Sequence, residues 1–96
     1  MKRDAIVIRV EDNVATAIRN LEAGHEAAVG IGEEVTRLKL RQSIDYGHKM
    51  ALNDIARGEK ILKYAAVIGQ ATQAIKAGEH VHVHNVESLR GRGDLD

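Results

Sequence analysis

Apolar residues in this chain alternate with polar ones in short runs divided by glycine, the pattern of brief strands joined by tight turns. Asp4 to Val10 predicts a strand with Ile6, Ile8 and Val10 on its inner face and Val7 and Arg9 on the other. Glu11-Asp12-Asn13 then offers helix-capping oxygens. Val14, Ala17, Ile18 and Leu21 recur at i, i+3, i+4 and i+7, which predicts one short amphipathic helix over Val14 to Leu21, ended by Gly24. Glu26 to Leu40 reads as a strand pair, with Gly30 and Gly32 marking a tight turn. After a turn at Ile44-Asp45-Tyr46-Gly47, strands are expected over His48 to Leu52, Glu59 to Tyr64 and Val67 to Ile75. Gly47 is placed to take a positive φ, and Gly69 to form a bulge or a close backbone approach.

The strongest local pattern is Gly78 to Glu87, where His80, His82 and His84 alternate with Val81 and Val83. A strand there would place the imidazoles on one face, about 6.6 Å apart along the backbone, and the valines toward the core. That spacing suits a shared metal or anionic ligand, provided the imidazoles are neutral and oriented by neighbouring groups.

A second regularity concerns turns. Leu21-Glu22-Ala23-Gly24-His25-Glu26-Ala27, Ile55-Ala56-Arg57-Gly58-Glu59-Lys60-Ile61 and Ile75-Lys76-Ala77-Gly78-Glu79-His80-Val81 repeat one order. An apolar anchor is followed by a glycine turn and then by a strand whose first apolar residue returns to the core. Three such devices imply a small, strongly bent mainly β domain over residues 1–87. The last residues, 88–96, lack periodicity and predict a flexible tail, and its Arg92-Gly93-Asp94 reads as a chance match to an adhesion signal.

Composition narrows the function. The 96 residues fit one domain, and the absence of cysteine removes disulfides, thiolate metal sites and cysteine nucleophiles. A reducing, cytoplasmic location follows as the expectation, with no signal peptide and no membrane span. Lys plus Arg and Asp plus Glu number 14 each, and Phe and Trp are absent. The chain therefore has neither the net field nor the stacking platform for nucleic acid.

Taken in order, Gly47-His48-Lys49, Ile55-x-x-Gly58-Glu59, Lys63-Tyr64, Ile68-Gly69-x-Ala71-Thr72 and Gly78-Glu79-His80-Val81-His82-Val83-His84-Asn85 resemble the SAF domain of the altronate and galactarate dehydratase family. The resemblance covers the chain from about Ala5 to Val86. It implies a β-clip fold, placed at the N-terminus of a long dehydratase or in a small subunit beside a large one; a homo-oligomer is compatible with it. It also implies a hydro-lyase that uses divalent iron or a similar metal to turn a sugar acid into a 2-keto-3-deoxy acid. Within that chemistry His82 and His84 are candidates for the metal, and His48 for the acid or base. Lys49 and Lys63 are candidates to hold a carboxylate, and Tyr64 and Asn85 to orient hydroxyls. His25 sits in a remote turn and His80 at the opening of the strand, so neither is given a role. Two alternatives belong to other classes: a related lyase subunit, such as one eliminating sulfite from sulfolactate, and a non-catalytic binding or assembly module.

Overall fold

Among residues 2–88, which the computed structural model describes, the alternating runs become nine strands and there is no helix. They are β1 (Ala5–Val7), β2 (Val14–Ala17), β3 (Glu26–Ile31), β4 (Glu34–Lys39), β5 (Lys49–Ala51), β6 (Lys60–Lys63), β7 (Ala66–Ala71), β8 (His80–Val81) and β9 (Val86–Ser88). One sheet has the order β4-β3-β1-β2-β5-β8, the other β6-β7-β9. The mainly β expectation holds.

Two apolar cores lie on either side of a wall made by β2 and β5. Ala15, Ala17 and Met50 enter one with Ala5, Val7, Val29, Leu40 and Ile44. Val14 and Ala51 enter the other with Ile55, Ile61, Ala71, Ile75 and Val81. This arrangement explains why the expected helix at Val14 to Leu21 is a strand. A central strand buried on both faces carries apolar residues without alternation, and in Val-Ala-Thr-Ala that run matches helical spacing by coincidence. Pairing with β1 on one side and β5 on the other overrides the local pattern.

The first strand is also corrected. Ala5 and Val7 face the core, while Ile8 and Val10 are exposed. Asp12 ends the strand early: its carboxylate accepts the amide of Arg9 at 3.1 Å, and its own amide donates to the Arg9 carbonyl at 3.0 Å. Ser88, expected to begin the tail, closes β9, and the rest of that tail with its Arg-Gly-Asp tripeptide lies outside the described residues.

The glycine turns form as expected, and there are four of them among the described residues. Ile44-Asp45-Tyr46-Gly47-His48-Lys49-Met50 is the unrecognised copy. Gly24, Gly47, Gly58 and Gly78 all have φ between 84° and 88°, as the third position of a type II turn requires. The anchors pair off: Leu21 and Ile44 exchange two backbone hydrogen bonds, as do Ile55 and Ile75. Gly69 meets both expectations, since the β6–β7 register shifts beside it and a Cβ would strike Val86 and the Glu87 carbonyl.

Candidate functional site

The residue after the turn glycine decides where the site forms. In two copies it is glutamate, and Glu59 and Glu79 each reach back at 2.8 Å to accept an amide of their own turn, from Ala56 and Lys76. In the other two it is histidine, which serves elsewhere. His25 Nε2 contacts Asp4 Oδ2 at 3.1 Å, and His48 Nδ1 meets His80 Nε2 at 2.9 Å.

β5 and β8 bring His48 to His80 by pairing Met50 with His80 and Lys49 with Val81. By alternation His48 and His80 share the Met50 face, at the open edge of the six-stranded sheet. The strand ends at Val81. Asn85 accepts the His82 amide at 2.9 Å and donates to the His80 carbonyl at 2.8 Å, closing a turn over residues 82–85. His80, His82 and His84 are thus not three points on one strand face, and Val83 is exposed rather than directed to the core.

The turn folds His82 back over the edge. His48 and His82 stack with centroids 4.2 Å apart, His48 and His80 at 5.1 Å, and His80 and His82 at 5.2 Å, all within 14° of parallel. One nitrogen from each of these three rings lies within 4.8 Å of the others. His84 is tilted by 38° and lies 5.2 Å from His80, outside that set. Sequence reasoning passed over His80. Its signal was the match between Gly78-Glu79-His80 and Gly47-His48-Lys49, two copies of one turn feeding adjacent strands.

Burial pushes the His80 imidazole below its usual pKa, and the neighbouring His48, His82 and His84 add to this. His82 is lowered by burial first, then by His48, Lys49 and His84. Lowered values keep the rings neutral, the form that binds metal or accepts a proton. Because the unfolded chain then binds more protons than the folded one, stability should fall as pH drops through 6.5 and go on falling to the lower folded values. Urea midpoints at pH 8 and pH 5.5 measure this. His80→Gln with His82→Gln should flatten the difference, and an unchanged slope would remove these two rings as its source.

Lys49 lies beside the cluster. Burial lowers its pKa, as does the charge of Lys63, and with His82 it lines a pocket of about 170 Å³ whose other walls include Ile61, Ile68 and Val81. Among the described residues neither Lys49 nor Lys63 has a carboxylate within ion-pair distance. Lys63 Nζ sits 5.1 Å over the Tyr64 ring. Of the residues expected to act, His48, His82, Lys49, Lys63 and Tyr64 therefore fall in one connected region. The Asn85 amide is instead engaged within its own turn, and His25 lies apart with Asp4 and Arg19.

Fold and site together define a small all-β module that carries an imidazole cluster, flanked by the ammonium groups of Lys49 and Lys63, at the edge of its larger sheet. The chain belongs to the family of altronate/galactarate dehydratase SAF domains, whose model matches residues 3–89. Altronate dehydratase of Escherichia coli (strain K12) is 45% identical over 91 residues, covering 95% of this chain and 17% of that protein. Altronate dehydratase of Bacillus subtilis (strain 168) is 40% identical over 84 residues, covering 86% of this chain and 16% of that protein. The (2R)-sulfolactate sulfo-lyase subunit alpha of Chromohalobacter salexigens is 34% identical over 93 residues, covering 94% of this chain and 99% of that subunit. The chain thus spans about a sixth of the altronate dehydratases and nearly the whole of the sulfo-lyase subunit.

Proposed function

We propose that this chain is the SAF domain or small subunit of a cytoplasmic sugar-acid hydro-lyase, acting with a larger catalytic partner. The observation that carries the reading is the convergence of His48, His80 and His82 beside Lys49 in a chain 45% identical to an altronate dehydratase. The existence of a relative named as a subunit supports a partner.

Elimination of water from a hydroxy acid removes the proton α to the carboxylate and the hydroxyl at the β-carbon. It leaves an enol that ketonises to a 2-keto-3-deoxy acid. Lys49 and Lys63 receive the carboxylate as point charges, which also favours the negative charge that develops when the α-proton leaves. His48 holds or moves a proton at one ring nitrogen, its orientation maintained by His80. Three imidazoles without a thiolate suit a divalent transition metal such as iron, so the donor set fits the metal the family implies. His48, His80 and His82 would hold it. When bound, it would supply Lewis-acid help for the departing hydroxyl.

A titration of the full chain with cobalt(II) checks the donor set. His48, His80 and His82 should respond ahead of His84 and well ahead of His25, and less readily at lower pH because protons compete for the same nitrogens. An equal response at all five histidines would mean adventitious binding.

Co-purification from the native cell tests the assignment as a whole. The bound chain should be dehydratase-like, with no turnover from this chain alone and turnover on reconstitution. Full activity of the large partner by itself would leave this chain an assembly role. The sulfo-lyase reading has its own support in the end-to-end match to subunit alpha. Offering altronate and sulfolactate to the reconstituted pair separates the two, and we expect altronate to be consumed.

A further inference from the structure

The Glu11-Asp12-Asn13 segment caps no helix, yet the Asp12 side chain is fully engaged. The residue is 6% exposed. Its Oδ2 accepts the amides of Arg9 and Tyr64, each at 3.1 Å, and its Oδ1 accepts the amide of Ala65 at 2.8 Å. Tyr64 and Ala65 are the two central residues of the β6–β7 hairpin turn. They are also the non-glycine residues at positive φ among those described, at 58° and 57°.

Two consecutive left-handed residues make the turn that Asn-Gly ordinarily fills, and tyrosine followed by alanine has no preference for it. Asp12 supplies from outside the hairpin what the turn's own residues lack. Asn13 reinforces the attachment by donating to the Lys60 carbonyl at 2.9 Å and accepting the Leu62 amide at 2.8 Å. The Asn13 backbone also donates to the Leu62 carbonyl at 3.3 Å and accepts the Leu52 amide at 3.0 Å, so the strand carrying Lys63 is tied to the β2–β5 pair that carries Lys49, and the two charges interact.

We propose that Asp12 is a positioning residue for anion binding: by pinning the Tyr64-Ala65 turn in its left-handed form, it holds Lys63 and Tyr64 beside Lys49 to receive a carboxylate. This rests on the reading of Lys49 and Lys63 as the carboxylate-binding pair.

The test titrates the isotope-labelled full chain with inorganic phosphate. It follows the side-chain signals of Lys49 and Lys63 together with amide exchange at Tyr64 and Ala65. In the wild type both lysines should respond. Asp12→Ala should speed exchange at the two amides and weaken phosphate binding by about tenfold. Removing a negative charge would by itself strengthen anion binding, so a loss reports geometry rather than field. Adding Ala65→Gly, which takes positive φ without help, should recover most of the affinity. Asp12→Asn keeps one accepting oxygen and should give an intermediate loss, and it serves as the readout if Asp12→Ala does not fold. Unchanged affinity in the folded Asp12 variants, or a loss that Ala65→Gly does not recover, overturns the proposal alone. No response at either lysine in the wild type overturns the carboxylate-binding reading, and this proposal with it.

Discussion

Replacing His48 with alanine in the assembled enzyme is expected to lower turnover by ~10²-fold or more, the usual contribution of a positioned acid or base. The reason lies in its place within the cluster. Its ring meets His80 at 2.9 Å and stacks on His82 at 4.2 Å, so its loss removes one donor and the group that orients two others. His84→Ala should cost less, because that ring is tilted and outside the three-nitrogen set. His25→Ala serves as the control: its partner is Asp4, and turnover should stay at the wild-type rate. The comparison must be made on complexes of equal assembly, measured by co-elution. Wild-type turnover from a fully assembled His48→Ala complex would reduce the imidazole cluster to a structural feature.

Gly78→Ala is expected to have the largest effect on stability, destabilising the chain by roughly 3 kcal/mol or more, enough to unfold a marginal domain. Two costs add there. Gly78 has φ of 87°, and a Cβ would collide with the carbonyl oxygen of Lys39. That backbone cannot move freely, because Gly78 accepts the Arg41 amide at 2.9 Å and donates to the Ala51 carbonyl at 2.9 Å. Gly24 has the same φ of 87° but nothing within 4 Å of its Cβ position, so Gly24→Ala should cost only about 1 kcal/mol. Urea unfolding midpoints of the two variants isolate the steric part. Similar shifts for both would show that the close approach at Lys39 relaxes easily. Since Gly78 launches β8, the same substitution should also disturb the positions of His80 and His82 in whatever fraction remains folded.

The elements read correctly were those whose information is local. Three turn devices could be found by order alone, because an apolar anchor, a glycine at positive φ and a returning apolar residue all lie within seven positions. The hairpin of Glu26 to Leu40 was legible for the same reason, Gly32 taking φ of 60° between β3 and β4, whereas Gly30, also expected in the turn, lies within β3 and pairs with Val35. The oxygens of Asp12 and Asn13, expected to cap a helix, cap none: they accept the amide of Arg9, three positions back, and those of Tyr64, Ala65 and Leu62, about fifty positions away. Side-chain oxygens advertise that they will accept an amide; whose amide is a question of packing.

By itself, then, the sequence determined the strand-and-turn character of this protein, its family, and the residue types available to a site. The tertiary structure decided the rest. It made Val14 to Ala17 a central strand, because apolar residues on both faces are required between two cores and carry no alternating signature. It turned the chain at residues 82–85, because Asn85 satisfies backbone groups that a longer strand would have left at an open edge. It also assembled the imidazole cluster from His48 and His80, 32 positions apart, through the β5–β8 register. Periodicity records how a segment is buried, whereas the meeting of two segments depends on long-range pairing that neither segment's pattern contains.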